Sequence, residues 1–478
     1  MAKEKTFIAG ANPYMPLWEH VPDGEPHVFT YNGETRVYVY GSHDILENAY
    51  CGPNYVVWSA PVDDLTNWTC HGVSYTSTDG SPLYAPDVVE KDGVYYLYAP
   101  EQCNRRIMMA KSTCPWGPFT DPVLTELGAD PGVLVDDDGR VYAYWGFCTS
   151  YCAELNADMA TIKAGTLHEH PIPHCDNVPW VQDAEHVDHE LAFFEASSPR
   201  KVFGKYVYVY SKRVQVPHPE LGVYDANNGF LSYLFSDKPL EGFHGGGDIS
   251  FNGGEILKND DGTGVMTLRW GNNHGSIAEV NGQWYVFYHR QTGTDEYSRQ
   301  AMLEPIEVAQ DKDGNIFIGK ITWKDGQPVA SAPVDMTSQG AHVNGLDCRK
   351  WISAGYTCHL HGCSPRPVIS VVREKREDVS TPVVGIKSGA TVGFRYLNFG
   401  ETSPSSVTII AQSPVSATVT LRLDSYDGLA AAVMQLAAGR TEYVAELTTT
   451  ITGKHAVYFA FETDDPQAEM SFDRFTFD

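Results

Sequence analysis

No run of roughly 18 consecutive apolar residues, the length a spanning helix needs, occurs anywhere in the 478-residue chain. The opening MAKEKTFIAGANPYMP also lacks the apolar stretch of an export signal, so a cytoplasmic location is expected, with secretion the alternative if a leader has been removed, and no membrane partner is expected. Basic residues are scarce: 34 Lys and Arg stand against 61 Asp and Glu, a net charge of −27. Such a field repels nucleic acid and anionic lipid but tolerates neutral ligands. The ten cysteines include no C-x-x-C pair, which removes the usual structural zinc site and leaves free thiols as the expectation, with a Cys358–Cys363 disulfide the alternative. Amphipathic helical stretches are missing too, which argues against alternating strands and helices around a parallel sheet.

What the chain has instead is aromatic and β-branched alternation, with 27 Tyr, 20 Phe and 10 Trp. One pattern recurs five times: a short apolar strand, a Gly-containing turn, and a strand alternating aromatic and β-branched residues. The second strands are YNGETRVYVYGS, EKDGVYYLYAP, DDDGRVYAYWG, VFGKYVYVYS and VNGQWYVFYHR. Their turn glycines, Gly33, Gly93, Gly139, Gly204 and Gly282, are separated by 60, 46, 65 and 78 residues, enough for a four-stranded sheet plus loops each time. This spacing predicts an all-β protein whose residues 1–325 form a five-bladed β-propeller. Residues 326–345, rich in small and turn-forming residues, read as a connector. Residues 346–478 carry further alternating runs suited to a β-sandwich.

In a propeller the innermost strands converge on one axis, so carboxylates preceding different hairpins can meet. Asp23 and Glu25 precede the first hairpin, Asp130 the third and Glu195 the fourth. Glu195 lies inside apolar FFEA, where an acid without a function is costly. Converging carboxylates suit glycosidic hydrolysis: one protonated acid serves the leaving oxygen, one carboxylate activates water, and a third raises the acid's pKa by repulsion.

The motifs NPYMP, PDGEPHVF, YVYGSHD, YAPDVV, ADPGVLVDDDGRVYAYWG, FFEASSPRKVFGKYVYVYS and RWGNNHG, in that order over about Asn12 to Trp323, resemble glycoside hydrolase family 43. The resemblance implies an inverting enzyme acting on xylan, arabinoxylan or arabinan fragments, its acid and base about 6.5 to 9.5 Å apart. It implies Asp130 as the residue that orients and tunes the acid, and Glu195 as the general acid. The general base falls on Asp23 by chemical identity or on Glu25 by a gap-free match, and Asp23 is preferred because Gly24 permits a bulge that turns the shorter side chain inward. It further implies Arg299 and Tyr84 as sugar contacts, with His43 and Asp44 weaker candidates, and Asp87 as a structural acid at a strand end. His274 is implied as the protein ligand of a divalent cation, which some members hold and which is often calcium. The last domain is similar to a family 6 carbohydrate-binding module, in which Trp351 and Tyr443 are the aromatic candidates for a sugar platform. The expected activity is exo-β-xylosidase on xylo-oligosaccharides, with α-L-arabinofuranosidase as the alternative. A non-catalytic lectin and a scaffold for protein partners are the competing classes.

Overall fold

The computed structural model describes residues 6–46, 48–174, 188, 190–214, 218–223, 227–376, 378 and 380–478. Cys175 lies outside this set; the other nine cysteines, Cys358 and Cys363 included, are unbridged. Among the described residues the only helical pieces are two single 3-10 turns, Pro219–Leu221 and Ala354–Tyr356.

Each of the five recurrent patterns is an antiparallel hairpin. The pairs are Glu25–Tyr31 with Glu34–Tyr40, Asp87–Lys91 with Val94–Glu101, Gly132–Val135 with Val141–Phe147, Phe193–Val202 with Lys205–Val214, and Ser276–Val280 with Gln283–Gln291. All five turn glycines have φ between 76° and 83°. At Asn32-Gly33, Asp92-Gly93, Phe203-Gly204 and Asn281-Gly282 both turn residues are left-handed, the geometry that matches the twist of the flanking strands. Each hairpin grows by neighbour pairing into its own sheet, of four strands in the first four cases and five in the last. The first strand of each sheet lies against the first strand of the next through the first four, and Glu25–Tyr31 also lies against Ser276–Val280. At this centre the backbones touch: a Cβ on Gly132 would stand 2.2 Å from Ser197 O.

The fifth sheet extends further than expected. Gln327–Ala332, read from sequence as the start of a connector, pairs with Ile316–Lys324 as a strand, and Val334 bridges to Ser250. The small residues that suggested a linker are there a sheet edge. Beyond it, residues 336–340 are buried rather than exposed. Thr337 donates its N–H and hydroxyl to the buried carboxylate of Glu304, each at 2.7 Å.

Two six-stranded sheets follow. One is built on Thr391–Asn398, Lys454–Glu462 and Ala417–Leu423, the other on Met470–Phe477 and Ser406–Gln412. Phe394, Phe459, Phe472 and Phe475 meet between them with ring centroids 4.7–6.3 Å apart. This apolar cluster does not stop at the sandwich. It continues through Tyr356, Ile352 and Leu360 into Val207, Leu231, Ile249 and Met302 of the preceding sheets. Arg290, fully buried, donates from the fifth sheet to the carbonyls of Gly355 and Thr357. Truncation before about residue 340 would remove those carbonyls and uncover the apolar residues of the preceding sheets that the sandwich covers. The truncated chain is therefore expected to lose soluble yield and its cooperative thermal melt. A truncated chain that melts at the full-length midpoint would contradict this.

Candidate active site

The site is built where hairpin ends meet. Asp23 precedes the first strand with φ 58°, so the left-handed residue is the aspartate itself rather than Gly24; Gly24 is instead packed close, since a Cβ there would meet Val39 Cγ1 at 3.2 Å. Asp130 (φ 47°) and Ala196 (φ 66°), beside Glu195, are also left-handed. Non-glycine residues hold this conformation only where the surroundings over-determine it, and such positions cluster at functional sites. The strand carrying Glu195 slips register against its partner between Phe193 and Glu195 and again between Glu195 and Ser198. These irregularities break the in-out alternation of FFEASS around Glu195.

Asp23, Asp130, Glu195, Tyr84, His274 and Arg299 line one pocket of ≈ 590 Å³. Asp23 Oδ1 accepts from Arg299 Nη1 at 2.8 Å and Oδ2 from Ser42 Oγ at 2.6 Å. Burial alone would raise its pKa, but the Arg299 charge, then His274, His289 and the Ser42 hydroxyl, hold it down at about 2. His289 Nδ1 accepts the Asp23 N–H at 3.3 Å while its Nε2 donates to Asn272 O; burial lowers this imidazole to about 3 and keeps it neutral. Glu195 Oε1 accepts from Asn228 Nδ2 at 2.9 Å. Burial, reinforced by the charges of Asp130 and Asp23, pushes the Glu195 carboxyl well above the usual carboxylate range. Asp130 accepts from Asn104 Nδ2 and from the Ala196 N–H, both at 3.3 Å, so it is tied to the residue next to Glu195. Burial and Asp23 raise Asp130 against the pull of His274. One pocket therefore holds an ionised carboxylate and a protonated one, the division of labour that acid–base hydrolysis needs.

Arg299 is buried between two acids. Its Nε and Nη2 reach the two oxygens of Asp44 at 2.8 and 2.9 Å, and its guanidinium lies 4.9 Å from the Tyr50 ring centroid. Asp44, a minor candidate on sequence, is thus the main partner of Arg299. Like Asp44, the candidates Glu25, His43 and Asp87 fall outside the pocket lining. Glu25 turns away to Arg200 Nη2 (2.7 Å) and Ser198 Oγ (3.1 Å), and His43 is engaged by Glu19 Oε1 (3.1 Å) and Asn54 Oδ1 (2.9 Å) behind the wall. His43 as a sugar contact is corrected accordingly: both ring nitrogens are spent on protein partners. Asp87 is fully buried and accepts from the Val88 and Val133 N–H groups and pairs with His27 Nε2, all at 2.7 Å, so it joins three sheets. In the sandwich, Tyr443 is only 2% exposed with its hydroxyl donated to the Ala437 and Arg440 carbonyls, which rules it out as a platform for sugar.

His274 Nδ1 stands 3.9 Å from Asp23 Oδ1 and 3.8 Å from Asp130 Oδ2. Among the described residues the one group with three convergent donors is Glu25, His27 and Asp87, and His274 is not in it.

The pocket also holds residues that the sequence patterns did not single out. Asn104, Asn227, Asn228 and Asn272 supply amides, Tyr50 and Glu296 form one side, and the rings of Phe147 and Phe194, 5.0 Å apart, form another. Asn272 sits in the RWGNNHG motif, two residues from His274, where the motif itself could have drawn attention to it.

Residues 23–192 match the model for glycosyl hydrolases family 43, and residues 369–478 that for carbohydrate binding module (family 6). A xylosidase/arabinosidase of Thermoclostridium stercorarium is 33% identical over 419 residues, spanning 81% of this chain and 82% of that protein. Xylosidase/arabinosidase 43A of Humicola insolens is 28% identical over 353 residues, 64% of this chain and 99% of that one. A solved structure of a family 43 arabinoxylan arabinofuranohydrolase from Bacillus subtilis, in complex with cellotetraose, covers 99% of this chain and 98% of its own at 21% identity, with a TM-score of 0.47.

Proposed function

The chain belongs to glycosyl hydrolases family 43, and from that premise we propose that it releases xylose from the non-reducing ends of xylo-oligosaccharides by inversion. The observation that carries this reading is the opposed protonation of Asp23 and Glu195 within one pocket. Glu195 donates its proton to the departing glycosidic oxygen. Asp23, ionised, takes a proton from the water that attacks the anomeric carbon from the other face. Asp130 orients the acid through the Ala196 N–H and keeps it protonated by repulsion. Arg299 and Tyr84 contact sugar hydroxyls and ring. A lectin has no use for this pair. Release of α-L-arabinofuranose is the second reading, favoured by the double naming of the Thermoclostridium and Humicola relatives.

Five blades around the pocket is the arrangement we infer for the five sheets, supported by the contact of Glu25–Tyr31 with both Asp87–Lys91 and Ser276–Val280. Residues 1–325, extended by the Gln327–Ala332 strand, make the catalytic unit, and 346–478 the module-like sandwich. A divalent cation at His274, calcium by family resemblance, would add positive charge beside Asp23 and Asp130.

One assay run twice tests the proposal. Full-length protein with xylobiose and with aryl xylopyranoside and arabinofuranoside, followed by NMR, is expected to release α-xylose first from the β-linked substrates. Exhaustive chelation is expected to lower the rate and added calcium to restore it. Sugar binding without release from any pentoside would leave the lectin, and a rate indifferent to chelation would remove the cation.

A further inference from the structure

Arg299 is held from behind by a loop that has no regular structure of its own. Residues 41–46 belong to no strand, yet this loop carries the buried Asp44. The Asp44 carboxylate accepts from Arg299 Nε, Nη2 and N–H, at 2.8, 2.9 and 3.2 Å, and from the Cys51 N–H at 3.0 Å. What meets the loop's own carbonyls comes from the far end of the chain. Arg373 Nη1 donates to Asp44 O, and Nη2 to Leu46 O at 3.0 Å and to Ser298 Oγ at 3.2 Å. A single guanidinium therefore ties the residue that grips the Arg299 side chain to the residue that precedes Arg299. Lys375, in the same segment, makes no hydrogen bond or ion pair with this loop; its ammonium lies 5.4 Å from the Trp18 ring centroid.

We propose that Arg373 is a positioning residue of the sugar pocket, acting through Asp44 and Ser298 to fix the Arg299 fork beside Asp23. The proposal rests on the reading of the pocket as a pentoside hydrolase. The physical reason is rigidity. Arg299 has to keep one amino group on Asp23 (2.8 Å) and Asn272 (3.0 Å) at the pocket wall while the other two nitrogens stay on Asp44, and a misplacement of about 1 Å at such a site costs on the order of 100-fold in rate. A planar guanidinium spans two carbonyls and a hydroxyl at once, which the point charge of lysine does not. The C-terminal unit thereby contributes to the pocket without touching the sugar.

The test uses full-length protein and an aryl pentoside that the wild type cleaves. Arg373→Met keeps the apolar stem and removes the donors. It is expected to lower kcat/KM by about 10- to 100-fold and to weaken inhibition by the free pentose, with the melting midpoint nearly unchanged. Arg373→Lys should recover part of the loss, and Lys375→Ala, in the same segment, should behave as wild type. Because Arg373 and Asp44 act through the same arginine, Arg373→Met combined with Asp44→Asn should be little worse than Asp44→Asn alone. Wild-type kinetics in Arg373→Met, losses that multiply in the double variant, or an equal loss in Lys375→Ala would each overturn the proposal. If Arg373→Met does not fold, Arg373→Lys decides: reduced kcat/KM at an unchanged melting midpoint supports the role, and wild-type kinetics overturns it. A wild type inactive on every pentoside refutes the hydrolase reading itself, and the positioning role falls with it.

Discussion

Glu195→Gln is expected to leave the fold intact and to slow xylobiose cleavage by about 10²- to 10⁴-fold, the usual contribution of a general acid. The loss should depend on the leaving group. A sugar alkoxide cannot depart unprotonated at neutral pH, whereas an activated phenolate needs little help, so aryl pentosides with acidic phenols should retain much more of their rate. The electrostatics give the reason the native residue can do this work. Burial first, then the charges of Asp130 and Asp23, keep the Glu195 proton in place where a solvent-exposed glutamate would have lost it. The amide of glutamine can keep the contact with Asn228 but has no proton to give. Equal rates of wild type and variant on xylobiose would remove Glu195 from the acid role.

Asp23→Asn should behave differently, with kcat reduced about 10³-fold, some 4 kcal/mol of barrier, on every substrate whatever its leaving group. Water must be activated in each case. Asp23 suits the task because Arg299, His274, His289 and Ser42 offset its burial and keep it ionised, while its left-handed backbone places it on the pocket wall. Glu25→Gln is the internal comparison. That carboxylate is raised by burial and by Asp87, is paired with Arg200, and lies outside the pocket. Its loss should lower the melting midpoint more than kcat. The reverse order, with Glu25→Gln the more damaging to kcat in well-folded protein, would transfer the base to Glu25.

Most of what was legible in the sequence is local chemistry. Asn-Gly and Asp-Gly turns announce hairpins because few other residues accept two successive positive φ values, and the acid in FFEA announces itself by its cost of burial. The same reasoning placed the freedom of the first segment in Gly24, whereas the left-handed residue is Asp23, because a network of four side chains over-determines its position. The pairing of Asp44 with Arg299, and Asn228 altogether, were not legible. Asp44 meets Arg299 across 255 positions of sequence, and Asn228 faces Glu195 from a strand whose register also slips. Tyr443 failed as a platform for the opposite reason: an aromatic residue at a strand looks the same whether its hydroxyl finds solvent or, as here, two carbonyls of its own turn. The Gln327–Ala332 strand was hidden by its small residues, which serve a sheet edge as readily as a linker.

The buried passage through residues 336–340 has a consequence for how the protein would meet a polymer. A sugar-binding module on a flexible tether raises the effective concentration of chain around a catalytic pocket, and the gain depends on the length of tether it can sweep. Here there is no tether to sweep. Thr337 is clamped on Glu304, and the apolar core is continuous across the junction, so any glycan gripped by the sandwich is presented to the pocket in one fixed pose. Lengthening the chain at residues 336–340 should here sever a working contact rather than extend a reach.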